Sequence, residues 1–169
     1  MFGKYYYLLL RNLSVSGTRS CEVVLLKEVS VHLFDLDPGS GIGTELRDIL
    51  LSSRKPRVRV RQESIDENAI ADSTENVPKT LARINPDIIF LVVPSKIIKQ
   101  ATPLIQILRQ KPVITVVEGD HPAEAVELVK LGIADFITPP LKAVDVFPRL
   151  WRVLDLARQR STFRYTAIC

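Results

Sequence analysis

Five short runs of apolar or alternating residues recur along the chain, each separated from the next by a longer amphipathic segment. Residues 29–35 alternate between apolar and other side chains, and residues 57–61 alternate strictly between arginine and valine. A period of two is typical of a β-strand. The runs at residues 88–93 and 113–117 are more continuously apolar, which indicates strands buried on both faces. A fifth strand is expected at residues 134–138.

The segments between these runs repeat their apolar residues at helical spacing. The second helix is expected to start at residues 73–75, with Pro78 in its first turn. The last helix is expected to be capped by Asp145, again with a proline, Pro148, in the first turn. Strands alternating with helices predict an α/β domain, a flavodoxin-like doubly wound five-stranded parallel sheet with strand order 2-1-3-4-5.

The pattern divides the chain into three parts. Residues 1–28 show no sustained period and are interpreted as a poorly ordered leader or as residues upstream of the true start, with an added strand through residues 22–26 as the alternative. Residues 29–160 form the predicted domain, and residues 161–169 are a tail. We expect the leader to be dispensable for folding, because it offers no face that could be buried.

Composition narrows the class of protein. The net charge is +4, no apolar stretch approaches the roughly 20 residues of a membrane span, and two distant cysteines offer no disulfide framework. These features indicate a cytoplasmic protein without a membrane partner, and direct nucleic-acid binding is not expected. The arginines of residues 57–61 would lie on an edge strand, where they either discourage strand pairing or form a basic contact surface.

Four separated segments together resemble one known family. They are Phe34 to Pro38, Pro86 to Pro94, Lys111 to Val117 and Leu131 to Leu141. In this order they are similar to the receiver (response regulatory) domain of two-component response regulators, especially the receivers that precede bacterial enhancer-binding transcription activators. The resemblance implies a signalling domain that works in a phosphorelay.

The resemblance also implies where the family's chemistry should be. The phosphoacceptor aspartate is replaced by Val92, which has no nucleophilic oxygen. In the family, a hydroxyl and a lysine contact the phosphoryl group; here Val117 and Pro139 stand at their positions. Of the acidic pocket, Asp35 and Asp37 remain. We therefore expect a degenerate receiver, a pseudo-receiver that is not an enzyme and needs no metal or cofactor.

Partner binding is the remaining function that the resemblance implies. Receivers communicate through their last two helices and the intervening strand, which places Phe136, Phe147 and Trp151 on the expected interaction face. Because Phe147, Trp151 and Val153 cannot share one helical face, at least one is expected to be exposed. The expected partners are an output domain, another regulator or a second copy, and the chain is either an adaptor or a fragment of a longer regulator. The alternative is a small-molecule-binding module at the carboxyl ends of the strands.

Overall fold

The computed structural model describes residues 10–15, 18–23, 28–54, 56–118 and 122–166. The strands are β1 (Leu10–Val15), β2 (Thr18–Val23), β3 (Glu28–Asp35), β4 (Arg57–Ser64), β5 (Ile88–Pro94), β6 (Val113–Glu118) and β7 (Asp135–Ile137). The helices are α1 (Ile42–Leu51), α2 (Ile70–Ile84), α3 (Ile98–Leu108), α4 (Pro122–Lys130) and α5 (Ala143–Thr166). No helix in these ranges is both long and apolar enough to cross a membrane.

The strands β3 to β7 form one parallel sheet in the order β4-β3-β5-β6-β7. Numbered from β3, this is the order 2-1-3-4-5, so the predicted flavodoxin-like topology is confirmed. The central strand β5 has all seven residues buried, because helices cover the sheet on both sides. Among the described strands, β4 and β7 lie at the two edges.

Two apolar layers hold the helices against the sheet. One face of β3 and β5 packs under α1 and α5, with Leu46 and Leu150 fully buried in that layer. The other face packs under α2, α3 and part of α4, with Leu104 and Leu128 fully buried. The alternation of the strand side chains therefore builds a core on each side of the sheet.

Helix α2 starts earlier than the sequence indicates, at Ile70, and it contains Pro78 in its interior. The expected capping residues lie inside the helix: the Ser73 hydroxyl donates a hydrogen bond to the carbonyl of Ala69 (2.7 Å) and the Thr74 hydroxyl to that of Ala71 (2.6 Å). Serine and threonine inside a helix can bond a preceding carbonyl in this way instead of capping its start. The prediction of a start at residues 73–75 was wrong for this reason.

Helix α5 also differs from its predicted bounds. It starts at Ala143, so Asp145 lies in the first turn and is not the cap, and Pro148 is inside the helix. The amides of Asp145 and Val146 both donate to the carbonyl of Lys142 (2.9 and 3.0 Å), which starts the helix before the aspartate. The helix continues to Thr166, into the segment interpreted as a tail.

The segment before the domain contains regular structure. Strands β1 and β2 pair antiparallel, with Leu10 opposite Val23 and Val15 opposite Thr18. The sequence shows no sustained period here, and the alternative strand was expected at residues 22–26, of which residues 24–26 lie outside the described ranges. Backbone pairing between two neighbouring strands can form a hairpin without a strict apolar alternation. Whether the segment is dispensable stays a prediction.

Candidate functional site

The candidate site lies at the carboxyl ends of β3, β5, β6 and β7, where ligands bind in sheets of this topology. We call the set Asp35, Leu36, Val92, Val117 and Pro139 the carboxyl-end site. In the sheet register, Asp35 lies beside Val92, and the amide of Leu36 donates to the carbonyl of Val92 (3.0 Å). These contacts bring together the two positions at which the family would hold an acid and its phosphoacceptor.

The other two positions are placed differently. Val92 is paired with Val116 and Val93 with Val117, so Val117 lies on the opposite face of the sheet from Val92. Pro139 follows β7, is half-buried and precedes Pro140 through a cis peptide bond. Neither residue supplies a hydroxyl or an ammonium group.

Asp35 is the only acid of the carboxyl-end site, and it is 1% exposed. Its Oδ1 accepts a hydrogen bond from the amide of Asp37 (3.1 Å), and its Oδ2 accepts one from Nε2 of Gln62 (3.3 Å). Burial raises the pKa of the Asp35 carboxyl above its ordinary value, and the two hydrogen bonds offset part of that rise. The carboxylate is therefore a buried acceptor that links the end of β3 to β4.

Gly43 in the first turn of α1 closes the space around this carboxylate. A Cβ added at Gly43 would overlap Oδ2 of Asp35, so glycine is needed there for close packing and not for a special backbone angle. The sequence analysis identified neither Gly43 nor Gln62 as part of the site. The alternating glycines of residues 39–43 were the nearest signal, and a flexible turn leading into the first helix was the preferred explanation of them.

Asp37 is the other acid that remains in the predicted pocket. It is half-buried, it lies two residues further along the loop, and its carbonyl accepts hydrogen bonds from the amide and hydroxyl of Ser40 (3.1 and 2.9 Å). Within the described part of the chain, no group of three histidine, cysteine, aspartate or glutamate residues could hold a metal ion. The two oxygens of Asp35 accept hydrogen bonds from Asp37 and Gln62.

The apolar members of the carboxyl-end site are packed into the core. Leu36, Val92 and Val117 are 2–3% exposed, so they contribute almost no surface to a ligand cavity. Carboxylate nucleophiles and hydroxyls are missing at these positions. These three side chains contribute packing of the strand ends.

The predicted interaction face is more buried than expected. Trp151 and Val153 are 6% and 2% exposed, and Phe147 is half-buried and stacks on Trp151 with ring centroids 6.2 Å apart. The expectation that one of these three is exposed was wrong, because α5 packs against α1 as well as the sheet and thus buries a wide arc. Among the side chains of α4 and α5 that the structure describes, the large exposed apolar ones are Val126, Val129, Val144 and Leu156.

Phe136 is half-buried beside an ion-pair cluster that the sequence analysis missed. Asp135 on β7 is 9% exposed and accepts two hydrogen bonds from Nη1 of Arg149 (3.0 and 3.1 Å) and one from Nη2 of Arg152 (2.6 Å). Its Oδ1 also accepts a hydrogen bond from the amide of Phe136 (2.9 Å). The arginines are three residues apart, which hints at a shared helix face, but only the fold brings β7 beside them. The cluster ties the start of β7 to α5.

The sequence matches no protein-family model and no curated protein. Solved structures do share the fold. The signal receiver domain of a protein described as a Luxo repressor, from Vibrio parahaemolyticus, matches with a TM-score of 0.57 at 14% identity, over 80% of this chain and 97% of that chain. The CheY-like protein TadZ of Pseudomonas aeruginosa matches with a TM-score of 0.56 at 17% identity, over 72% and 91%.

A pilus assembly protein, CpaE of Caulobacter crescentus, matches with a TM-score of 0.54 at 17% identity, over 79% of this chain and 95% of that chain. At such identities the likeness concerns the fold. The chain has the CheY-like fold of response regulator receiver domains.

Proposed function

We propose that the chain is a pseudo-receiver: a signalling domain of the two-component type that does not take up phosphate at the usual strand end and acts through contacts with proteins. The observation that carries this proposal is Val92, which stands at the end of β5 beside Asp35 and is 2% exposed in the core. A valine has no atom that can attack a phosphoryl group.

The surroundings of Val92 support the proposal independently. In phosphoryl transfer, a divalent cation held by acids offsets the charge on the phosphoryl oxygens. Asp35 instead accepts hydrogen bonds from Asp37 and Gln62, and Gly43 packs against its carboxylate. A cation would have to displace these contacts, so the carboxyl-end site disfavours the cation as well as the phosphate.

Because Val92 cannot accept a phosphoryl group, we propose contact with proteins as the function. We expect it to act in the cytoplasm, and regulation of transcription is the process that the resemblance favours. Val126 and Val129 on α4 and Val144 and Leu156 on α5 are between 48% and 75% exposed. Exposed apolar side chains of this size are candidates for contact with another protein. An output domain or a separate regulator is the partner class that we propose for these side chains.

Phosphate uptake tests the proposal directly. The protein is incubated with acetyl phosphate and magnesium, and its intact mass is measured, with a receiver that retains its phosphoacceptor aspartate as the positive control. We expect an adduct on the control and none on this chain. An adduct that hydroxylamine removes, as it removes an acyl phosphate, would show that another carboxylate accepts the phosphoryl group and that the proposal is wrong.

A further inference from the structure

The outer side of β4 is an open edge of the sheet. Among the described strands, β4 pairs only with β3. The amide of Ile65 donates to the carbonyl of Asp35 (2.9 Å), so the odd-numbered residues of this strand direct their backbone groups toward β3. The even-numbered residues Val58, Val60 and Gln62 therefore direct their N–H and C=O groups outward, where an additional strand could pair with them.

One face of this edge carries a row of cations. Arg57, Arg59 and Arg61 are exposed on the α2 side of β4, about 6.6 Å apart along the strand. Arg83, near the end of α2, faces Arg59 and Arg61 across a cleft of ≈ 460 Å³ that Ser30 and Ile84 also line. We call this set, with the outward backbone of Val58, Val60 and Gln62, the β4 edge.

The cations of the β4 edge are only partly compensated. Nη2 of Arg59 lies 2.7 Å from Oε2 of Glu28, whereas Arg61 and Arg83 have no carboxylate within ion-pair distance among the described residues. Glu63 at the end of the row lies 3.3 Å from the buried His32 instead. The positive charges of β4 would by themselves discourage another strand from pairing. Arg83 of α2 lines the same cleft and adds to the repulsion among the arginines, and a bound anion would relieve that repulsion.

The opposite face of the β4 edge is apolar. Val58 is 4% exposed, and Val60 is half-buried against the layer under α1. A strand added to β4 would therefore place alternate side chains beside valines on one face and beside arginines on the other. Alternate residues of an extended peptide repeat at about 6.6 Å, the same spacing as the arginines.

We propose that the β4 edge binds an extended acidic segment of a partner protein by strand addition, with carboxylates at alternate positions pairing with Arg57, Arg59, Arg61 and Arg83. Arginine pairs well with carboxylates through two parallel hydrogen bonds. A second copy of this chain does not fit, because two β4 strands would bring their arginine rows together. This surface is separate from the carboxyl-end site, so the inference goes beyond the proposed function and does not depend on it.

A labelled peptide of eight residues that alternates glutamate and valine is the probe, measured by fluorescence anisotropy at about 0.15 M salt, where surface charges are screened beyond about 8 Å. We expect it to bind the full chain. A peptide of the same composition with its glutamates contiguous, and a peptide alternating lysine and valine, should bind about tenfold more weakly or not at all. The double variant Arg59→Glu/Arg61→Glu should also bind about tenfold more weakly or not at all.

The matched control is Lys96→Glu/Lys99→Glu, which makes the same change of charge at exposed positions away from the β4 edge and should bind the alternating peptide as wild type does. Amide hydrogen exchange on the wild-type complex gives a second readout: the amides of Val58, Val60 and Gln62 should exchange more slowly with peptide bound. Equal binding of the contiguous peptide, binding of a single-stranded oligonucleotide in place of the alternating peptide, or unchanged exchange at these amides would overturn strand addition.

Discussion

At the carboxyl-end site, Val92 is 2% exposed and Asp35 1%, whereas Arg59 on the β4 edge keeps 68% of its side chain in solvent. Both regions belong to the same sheet, and Asp35 on β3 is the register partner of Ser64 on β4. The strand ends, where this topology usually places chemistry, are filled by apolar packing and internal hydrogen bonds. Among the described residues, backbone groups without a strand partner and only partly compensated charge lie at the side of the sheet instead.

The largest expected difference between the two regions comes from the same substitution made in each. Val92→Asp should lower the free energy of unfolding at pH 7 by about 3 kcal/mol, because an ionised carboxylate would be buried without a cation. Val60→Asp, at the half-buried β4 edge, should cost about 1 kcal/mol, because Val60 is only partly buried and its carboxylate can reach water. Urea unfolding of both variants measures the difference.

Val92→Asp should also remain without a phosphoryl adduct after treatment with acetyl phosphate. The restored aspartate would still lack the hydroxyl and lysine replaced by Val117 and Pro139, and the neighbouring Asp35 would still be engaged by Gln62. If Val92→Asp and Val60→Asp lower the free energy of unfolding equally, the carboxyl-end site is open to water. The proposed difference between the two regions would then be wrong.

A smaller effect tests how tightly Gly43 packs on Asp35. Gly43→Ala should lower the free energy of unfolding by about 2 kcal/mol, because the added methyl group displaces the Asp35 carboxylate from its hydrogen bonds. Gly39→Ala is the matched control: its Cβ would lie 3.7 Å from the nearest atom, Oδ1 of Asp37, and should change stability by less than about 0.5 kcal/mol.

The same contact predicts coupling between two substitutions. If the clash with Asp35 is the cause, Gly43→Ala should cost less in a chain that already carries Asp35→Ala, because the carboxylate is then missing. A double-mutant cycle from thermal or urea unfolding measures this coupling. If the losses of stability from Gly43→Ala and Asp35→Ala simply add, Gly43→Ala acts through α1 itself and not through a clash with Asp35.

The smallest effect is a dependence on pH at Asp35. Because burial raises its folded-state pKa above the ordinary value of 3.8, the stabilisation from Asp35 is complete below that value and is lost as the pH rises through the folded pKa. Asp35→Asn stays neutral and avoids this loss. Its free energy of unfolding should therefore increase relative to wild type between about pH 4 and pH 7, by an amount on the scale of one hydrogen bond, about 1 kcal/mol.

Unfolding curves for wild type and Asp35→Asn across this range check the sign. A difference that stays flat with pH would show that Asp35 titrates like a solvated carboxylate. A difference of the opposite slope would show that an unrecognised cation stabilises its charge.

Local periodicity and the rules of strand connection were sufficient to predict the strand order and the burial of the strand that contains Val92, whereas the role of Val92 came from the resemblance to receivers. The apolar runs, the short connections and the alternating arginines each restrict the topology, and β4 is found at the predicted edge. Helix ends were less predictable, since Ser73 and Thr74 bond within α2 where a cap was expected. The β1–β2 hairpin depends on backbone pairing between segments that carry no strict period.

The contacts that decide the character of each region come from the tertiary structure. Gly43 and Gln62 surround Asp35 only after α1 and β4 have packed beside β3. Trp151 is buried because α5 contacts both α1 and the sheet, which no helical wheel of α5 alone could predict. Arg83 lines the same cleft as Arg59 and Arg61 only because α2 packs beside β4. Sequence spacing determines which side chains share a face of one element, whereas burial and charge pairing depend on which elements the fold brings together.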